Sequence, residues 1–317
     1  MLSKYVKSAA ILAVVGLSTF GAVACASPEP FTIQAPGLFP EGLEYDRKRG
    51  AFLITSLTTG KVHAVKPDGS RKLLIDDPDL VSAIGIRVDR NRNRLYVCSS
   101  DPGVSSKTAP ATRRKLAGLG VYRLSDGKKE SFLRLDALNP GTHFCNDIAL
   151  AKNGELYITN SFSTVIYRVD RNLKPTVLVN DPRFRAKGFG LNGILAMGDF
   201  LLVAHSESGK LYRVGARDGS VQEVGLDKAM KFADGLVALG PDKVAIALNG
   251  SNEIAYYETK DGWKTARRTR TFDRGFSFPT TGVLVKGRLF YLNGKLHKLF
   301  GGKRDIAEFE VRELPLN

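Results

Sequence analysis

Apolar and polar side chains alternate along most of this chain in short runs. Gly60-Lys61-Val62-His63-Ala64-Val65, Val165-Ile166-Tyr167-Arg168-Val169 and Gly209-Lys210-Leu211-Tyr212-Arg213-Val214 are examples, and a period of two marks strands with one buried face. The triplets Pro67-Asp68-Gly69, Ser125-Asp126-Gly127, Arg217-Asp218-Gly219 and Lys260-Asp261-Gly262 close successive runs. Asp bonds the backbone ahead of it and Gly accepts positive φ, so these are turns. The spacing of an amphipathic helix is almost absent, and the pattern predicts an all-β protein.

A longer regularity overlies the alternation. A phrase of one polar residue, one small residue and alternating aliphatics recurs as Glu41-Gly42-Leu43, Asn146-Asp147-Ile148, Asn192-Gly193-Ile194, Asp234-Gly235-Leu236 and Thr281-Gly282-Val283. Ile84-Gly85-Ile86 is a sixth copy without the polar lead, and successive leads stand 43, 62, 46, 42 and 47 residues apart. After each phrase comes a plain second strand: Ala51 to Thr55, Arg94 to Cys98, Glu155 to Asn160, Phe200 to His205, Lys243 to Asn249, and Arg288 to Asn293. Amphipathic outer strands follow. Six such repeats predict a six-bladed β-propeller, four antiparallel strands per blade, as one domain over 27–317. A β-sandwich would not repeat one phrase at six nearly even intervals. Closure is expected from Phe31 to Gln34, or Ala307 to Leu314, joining the blade at the other end. The 62-residue interval marks an insertion between Asp101 and Gly118, whose composition reads as a flexible loop.

Residues 1–26 stand apart. Lys4 and Lys7 precede an apolar run from Ala9 to Phe20 and the small residues Gly21-Ala22-Val23-Ala24-Cys25-Ala26, the order of a secretory signal peptide. The run is too short to span a bilayer before Pro28-Glu29-Pro30, and the rest of the chain holds no transmembrane candidate. The expected location is periplasmic or extracellular. Ala22-Val23-Ala24-Cys25 also fits a loose lipoprotein signal, which would leave a lipid anchor on Cys25. Cys98 and Cys145 remain in the folded body, either as two buried thiols or as one bridge.

The formal net charge is +15, carried by turns such as Arg90-Asn91-Arg92-Asn93-Arg94 and by Lys264 to Arg270. This reads as solvated surface with some attraction for anionic ligands or envelope surfaces. Nothing resembles a nucleic-acid-binding motif, and an exported protein rarely meets that partner.

Inner strands of a propeller surround its axis, so equivalent positions at their starts face one another. Glu41, Asn146, Asn192, Asp234 and Thr281 therefore form a ring. Two carboxylates and two amides are costly to bury together unless something satisfies them. Ca²⁺ takes about six to eight oxygen ligands of these kinds, and the lack of ring His or Cys argues against zinc or copper. A central calcium site is expected, open to other divalent cations. The second strands end at the same face, which makes Ser56, Ser99, Asn160, His205, Asn249 and Asn293 candidate pocket residues together with Thr281. His205 could act as acid, base or substrate donor. His143 is a weaker candidate, and His63 and His297 read as surface residues. Phe39, Phe144, Phe189, Phe232 and Phe278 precede five of the leads, either as packing between blades or as an apolar rim. The insertion and the stretch from Asn180 to Gly190 are candidate lids.

Pro40-Glu41-Gly42-Leu43, Asn146-Asp147, Leu191-Asn192-Gly193 and Ala233-Asp234-Gly235 resemble the metal-binding phrases of the gluconolactonase, regucalcin and paraoxonase superfamily, over nearly the whole chain after the signal. The resemblance implies that Glu41, Asn192 and Asp234 hold calcium, with Asn146 a fourth ligand or a contact to substrate and water. It implies a secreted hydrolase that opens a lactone or related ester, the metal stabilising the oxyanion as water attacks. Asp234 is the candidate base. Two departures stand out. The paraoxonase branch has a catalytic histidine where this chain has Ser99-Ser100-Asp101, and an aspartate serving a second calcium where this chain has Gly42. One calcium is therefore expected. The weakened Ile84 copy and the missing histidine leave open a non-catalytic, calcium-stabilised propeller that binds a ligand or a protein. The metal-free strictosidine-synthase-like branch is disfavoured by intact Glu41, Asn146, Asn192 and Asp234.

Overall fold

Each recurring phrase becomes the inner strand of a sheet. In the computed structural model, which describes residues 31–316, these strands are Pro40–Asp46, Ser82–Asp89, Cys145–Leu150, Leu191–Ala196, Ala233–Ala238 and Pro279–Val285. Each leads a sheet of four antiparallel strands, and the six sheets form a six-bladed β-propeller. The fifth blade gains a short parallel addition, Gly225–Leu226 beside Thr265–Phe272. The segment 1–26, with Cys25, lies outside the described residues. Among the described residues no helix is long and apolar enough to cross a membrane.

A circular sheet array must close, since an open edge strand invites foreign pairing. Both expected closing segments are used, side by side in the sixth blade. Glu308–Leu314 pairs with Arg288–Asn293, and Phe31–Gln34 pairs with Glu308–Leu314 in a register that sets Phe31 opposite Val311. Phe31 packs on Phe52 and Phe39 on Phe309, with ring centroids 5.1 and 5.5 Å apart, which binds the first blade to the last. Apolar residues of the second strands, among them Ile54, Val97, Ile158, Val203 and Ile246, are fully buried.

All six inner strands carry a bulge at the phrase. Pairing passes from Pro40–Ser56 directly to Leu43–Ile54, and from Cys145–Asn160 to Ile148–Ile158, so two residues oppose one. The other four blades do the same. The two unpaired residues are the lead and the small residue. In the last blade Pro279 opposes Asn293 and Gly282 opposes Tyr291, which corrects the sequence register. Thr280 is the lead there, and Thr281 takes the small residue's place.

The small residue answers to the neighbouring blade. A Cβ on Gly42 would lie 2.4 Å from Ile84 O, on Gly85 2.2 Å from Asn146 O, and on Gly193 2.2 Å from Asp234 O. Inner strands thus meet backbone to backbone. Threonine hydroxyls stitch the contact: Thr55 Oγ1 accepts Gly42 N–H at 2.7 Å and donates to Ile84 O at 2.8 Å. Thr159 does the same between Asp147 N–H and Asn192 O, at 3.1 and 2.7 Å.

The insertion is not the loose loop its composition suggested. It winds around the Asp101 carboxylate, which accepts Gly103 N–H at 2.9 Å and the Thr108 and Thr112 hydroxyls, both at 2.7 Å. Lys107 Nζ donates to Asp77 O and Leu80 O, and Arg304 Nη1 to Val104 O.

Cys98 and Cys145 form a disulfide with Cα atoms 5.4 Å apart, joining the second strand of blade two to the inner strand of blade three. It closes a separation of 47 residues, so removing it by Cys98→Ala with Cys145→Ala is expected to cost roughly 2–4 kcal/mol. Urea unfolding checks this, and an unchanged midpoint would contradict it.

Candidate functional site

The bulges bring four leads to the floor of one cavity of about 490 Å³, lined there by Glu41, Asn146, Asn192 and Asp234. All four are at most 5% exposed. Glu41 Oε2, Asn146 Oδ1 and Asn192 Oδ1 are buried oxygens that receive no hydrogen bond. Their orientation is set from behind. Asn146 Nδ2 donates to Ser161 Oγ at 2.8 Å, and Asn249 Nδ2 donates to Asp234 Oδ2 at 3.0 Å. Leaving a buried acceptor unpaired costs roughly 1–3 kcal/mol, so the arrangement favours a partner that supplies positive charge. Burial raises the Glu41 carboxyl well above its usual range, helped by the charges of Asp234 and Asp147. Burial pushes Asp234 up to about 7 against the opposing Asn249 amide.

Blades two and six contribute no oxygen to the floor. Ile84 is fully buried and apolar, and Thr280 gives its hydroxyl proton to Glu41 O at 2.8 Å. Among the described residues there is no group of three or more His, Cys, Asp or Glu suited to a metal, because amides supply half of this set. The residues that could hold a cation are these four. Asp147, next to Asn146, accepts Ile148 N–H at 2.8 Å and Ile194 N–H at 3.1 Å. Arg87 stands beside it, 3.7 Å away, and also bonds Glu44 and Ile148 O.

Of the strand-end candidates, Asn249 lines the cavity, whereas Ser56, Ser99, Asn160, His205 and Asn293 do not. These five hold the loop that enters the inner strand. Ser56 Oγ donates to Leu38 O at 2.7 Å and Ser99 Oγ to Asp79 O at 2.9 Å. Asn160 Oδ1 accepts Phe144 N–H at 2.8 Å, and Asn293 Oδ1 accepts Ser277 N–H at 3.1 Å. His205 Nε2 bonds Phe184 O at 3.1 Å while Nδ1 accepts Ser208 N–H at 3.2 Å, so both its nitrogens are engaged. Burial lowers its pKa. Thr281 is likewise absent from the lining. His143 is buried against Asn160. His63, expected at the surface, is buried too, and burial brings it down to about 4.

The cavity walls are largely apolar. Phe144, Phe189, Phe232 and Phe278 line them, whereas Phe39 is fully buried in the core. The segment 180–190 contributes Gly188 and Phe189, and the insertion contributes nothing. Sequence reading missed Leu57, Ser206, Glu207, Lys231, Leu296 and Phe300. The last two lie on the helix Leu296–Phe300, which Leu296, Leu299 and Phe300 at helical spacing before Gly301-Gly302 could have signalled.

No protein-family model matches the sequence, and no curated protein matches it. Solved structures do. The Malassezia sympodialis allergen Mala s 1 is similar over 92% of this chain and 97% of its own, at 14% identity and TM-score 0.72. Regucalcin from Agrobacterium tumefaciens, described as a calcium-binding protein, is similar over 90% and 93%, at 17% identity and TM-score 0.64. Virginiamycin B lyase from Staphylococcus aureus, of which a histidine-to-alanine variant is catalytically inactive, is similar over 90% and 99%, at 13% identity and TM-score 0.59. At these identities the likeness is one of fold.

The contact between inner strands is testable at the site. Gly193→Ala should cost about 1–3 kcal/mol, because its Cβ would strike the Asp234 carbonyl. Gly225→Ala, whose Cβ would meet Thr265 at 3.4 Å and Lys264 O at 3.8 Å, both ordinary contacts, should be nearly neutral. Equal unfolding midpoints for the two variants would contradict the contact.

Proposed function

We propose that this chain is a calcium-dependent hydrolase that opens a lactone or related ester in the central cavity. The observation that carries the reading is the set of buried, donorless oxygens of Glu41, Asn146 and Asn192 beside the Asp234 carboxylate. Oxygen-only donors, half of them neutral amides, suit a hard cation of calcium's size. Calcium bound there would polarise the ester carbonyl and offset the charge that develops on its oxygen.

The protein's own groups do the rest. Asn249 ties up Asp234 Oδ2, which leaves Oδ1 to take a proton from the attacking water. Asn146, held by Ser161, keeps its oxygen aimed at the floor. The apolar wall limits water around the reacting bond. Histidine chemistry of the kind implied by the inactive lyase variant lacks a candidate, since none of the four histidines lines the cavity among the described residues. The calcium-binding character of regucalcin supports the choice of metal. The Cys98–Cys145 bridge suits an oxidising compartment and supports export, periplasmic or extracellular.

A second reading is a non-catalytic propeller in which the cation pins the blades and the cavity only binds. It is favoured by the apolar Ile84 at the blade-two lead and by the absence of a histidine from the cavity lining among the described residues. A pH-stat assay on a lactone and ester panel separates the two. Turnover should vanish with chelator and return with Ca²⁺. Asp234→Asn at saturating calcium should lower kcat by about 10²–10⁴-fold. Calcium-dependent melting without turnover would favour the second reading, and full activity in Asp234→Asn would refute the role of that residue.

A further inference from the structure

We infer that the ligand of this cavity carries an apolar arm, a hydrocarbon chain attached to the ester or lactone, and that polyhydroxylated lactones fit it poorly. The reacting group rests on the hydrolase reading, while the arm is read from the walls alone.

The walls form a continuous apolar path from floor to mouth. Leu57 and Phe144 are buried beside the polar floor, Phe189 and Phe278 are half-buried above it, and Phe232 and Phe300 are 53% and 48% exposed at the opening. Phe189 links the levels, with its ring centroid 5.3 Å from Phe144 and 6.5 Å from Phe300. Exposed aromatic rings around a concave site are the surface a hydrocarbon covers most favourably.

The collar is built at a cost in backbone conformation. Phe232 and Phe278 have φ of 60° and 53°, a left-handed conformation uncommon for bulky side chains. Core-buried Phe39 shares it at 40°, so it belongs to the entry of the inner strand, and in these two blades the ring lines the cavity. Around Phe232 the backbone is fixed on both sides, with Phe232 N–H on Ser206 O at 2.8 Å and Asn249 N–H on Phe232 O at 3.0 Å. Gly250 leaves the space the ring needs, since a Cβ there would come within 2.6 Å of it.

Polar groups above the floor are few and mostly engaged. Glu207 accepts Lys187 N–H at 3.0 Å and Gly188 N–H at 2.7 Å, and the Asn249 amide is given to Asp234. The Asn249 side-chain carbonyl oxygen, Ser206 and the exposed Lys231 are what remain. A sugar-like lactone would leave several hydroxyls against phenylalanine rings, and unpaired polar groups discriminate strongly against a ligand.

The test uses the full chain with calcium and N-phenyl-1-naphthylamine as an apolar fluorescent probe. Displacement by 4-alkyl-γ-butyrolactones should strengthen about fourfold per added methylene, and D-glucono-δ-lactone should displace the probe weakly or not at all. Phe300→Ser, at an exposed position that the fold does not need, should flatten the chain-length dependence, and Phe300→Leu should retain most of it. A flat series in the wild-type protein, or glucono-δ-lactone binding as tightly as the longest alkyl lactone, would overturn the inference. Hydrolysis measured on the same compounds keeps the two claims apart. A steep displacement series without turnover supports the apolar arm and refutes the hydrolase. Fast turnover of glucono-δ-lactone with a flat alkyl series does the reverse.

Discussion

The structure depends on the approach of inner-strand backbones around the propeller axis. The carbonyl of one lead residue occupies the space where the preceding blade's side chain would stand, as Gly42, Gly85 and Gly193 each show. That contact demands a residue with little or no side chain after the lead in those blades, and the bulge lets the strand pass through it while keeping its outer pairing. The leads are left pointing at a shared floor where water is scarce. Four of them are oxygen acceptors, two of them carboxyls, and three present oxygens without a donor. A low-dielectric cluster of that kind is costly by itself. Its acceptors become an asset when a cation is the partner.

Around that floor the labour is divided between two sets of residues. Polar side chains at the strand ends, Ser56, Ser99, Asn160, His205 and Asn293, bond the incoming loops. Three of these loops, steadied in this way, present Phe144, Phe189 and Phe278 to the cavity. The polar floor therefore sits on strands and the apolar wall on pinned loops, the arrangement that holds a site to its geometry.

Much of this was legible in the amino-acid order. Alternation with period two and a phrase at blade spacing give six blades, because both follow directly from strand geometry and from the inner-strand contact. Glu41, Asn146, Asn192 and Asp234 stand out because a strand needs no such polarity at its buried end. What was hidden depends on pairing partners far along the chain. Gly282 mimics the phrase glycine, yet it lies under Tyr291, and only the Pro279–Asn293 pairing reveals Thr280 as the lead. Whether a polar strand end faces the cavity or a loop is decided by which backbone groups the loop leaves unpaired. His205 and Asn160 went to the loop, and Asn249 went to Asp234. Asp101 ordering its own insertion through Thr108 and Thr112 could not be read from a Ser, Thr, Ala and Pro composition that also describes mobile loops. Phe39 and Phe232 look alike in sequence, but one fills the core beside Phe309 and the other edges the cavity.

The central claim is that the ring is a cation site, and calorimetric titration of the purified, chelator-stripped chain with Ca²⁺ tests it most directly. One calcium per chain is expected, with binding lost or greatly weakened in Asn192→Leu, which removes one of the donorless oxygens and little volume. No binding at millimolar calcium, or equal affinity in Asn192→Leu, would contradict it.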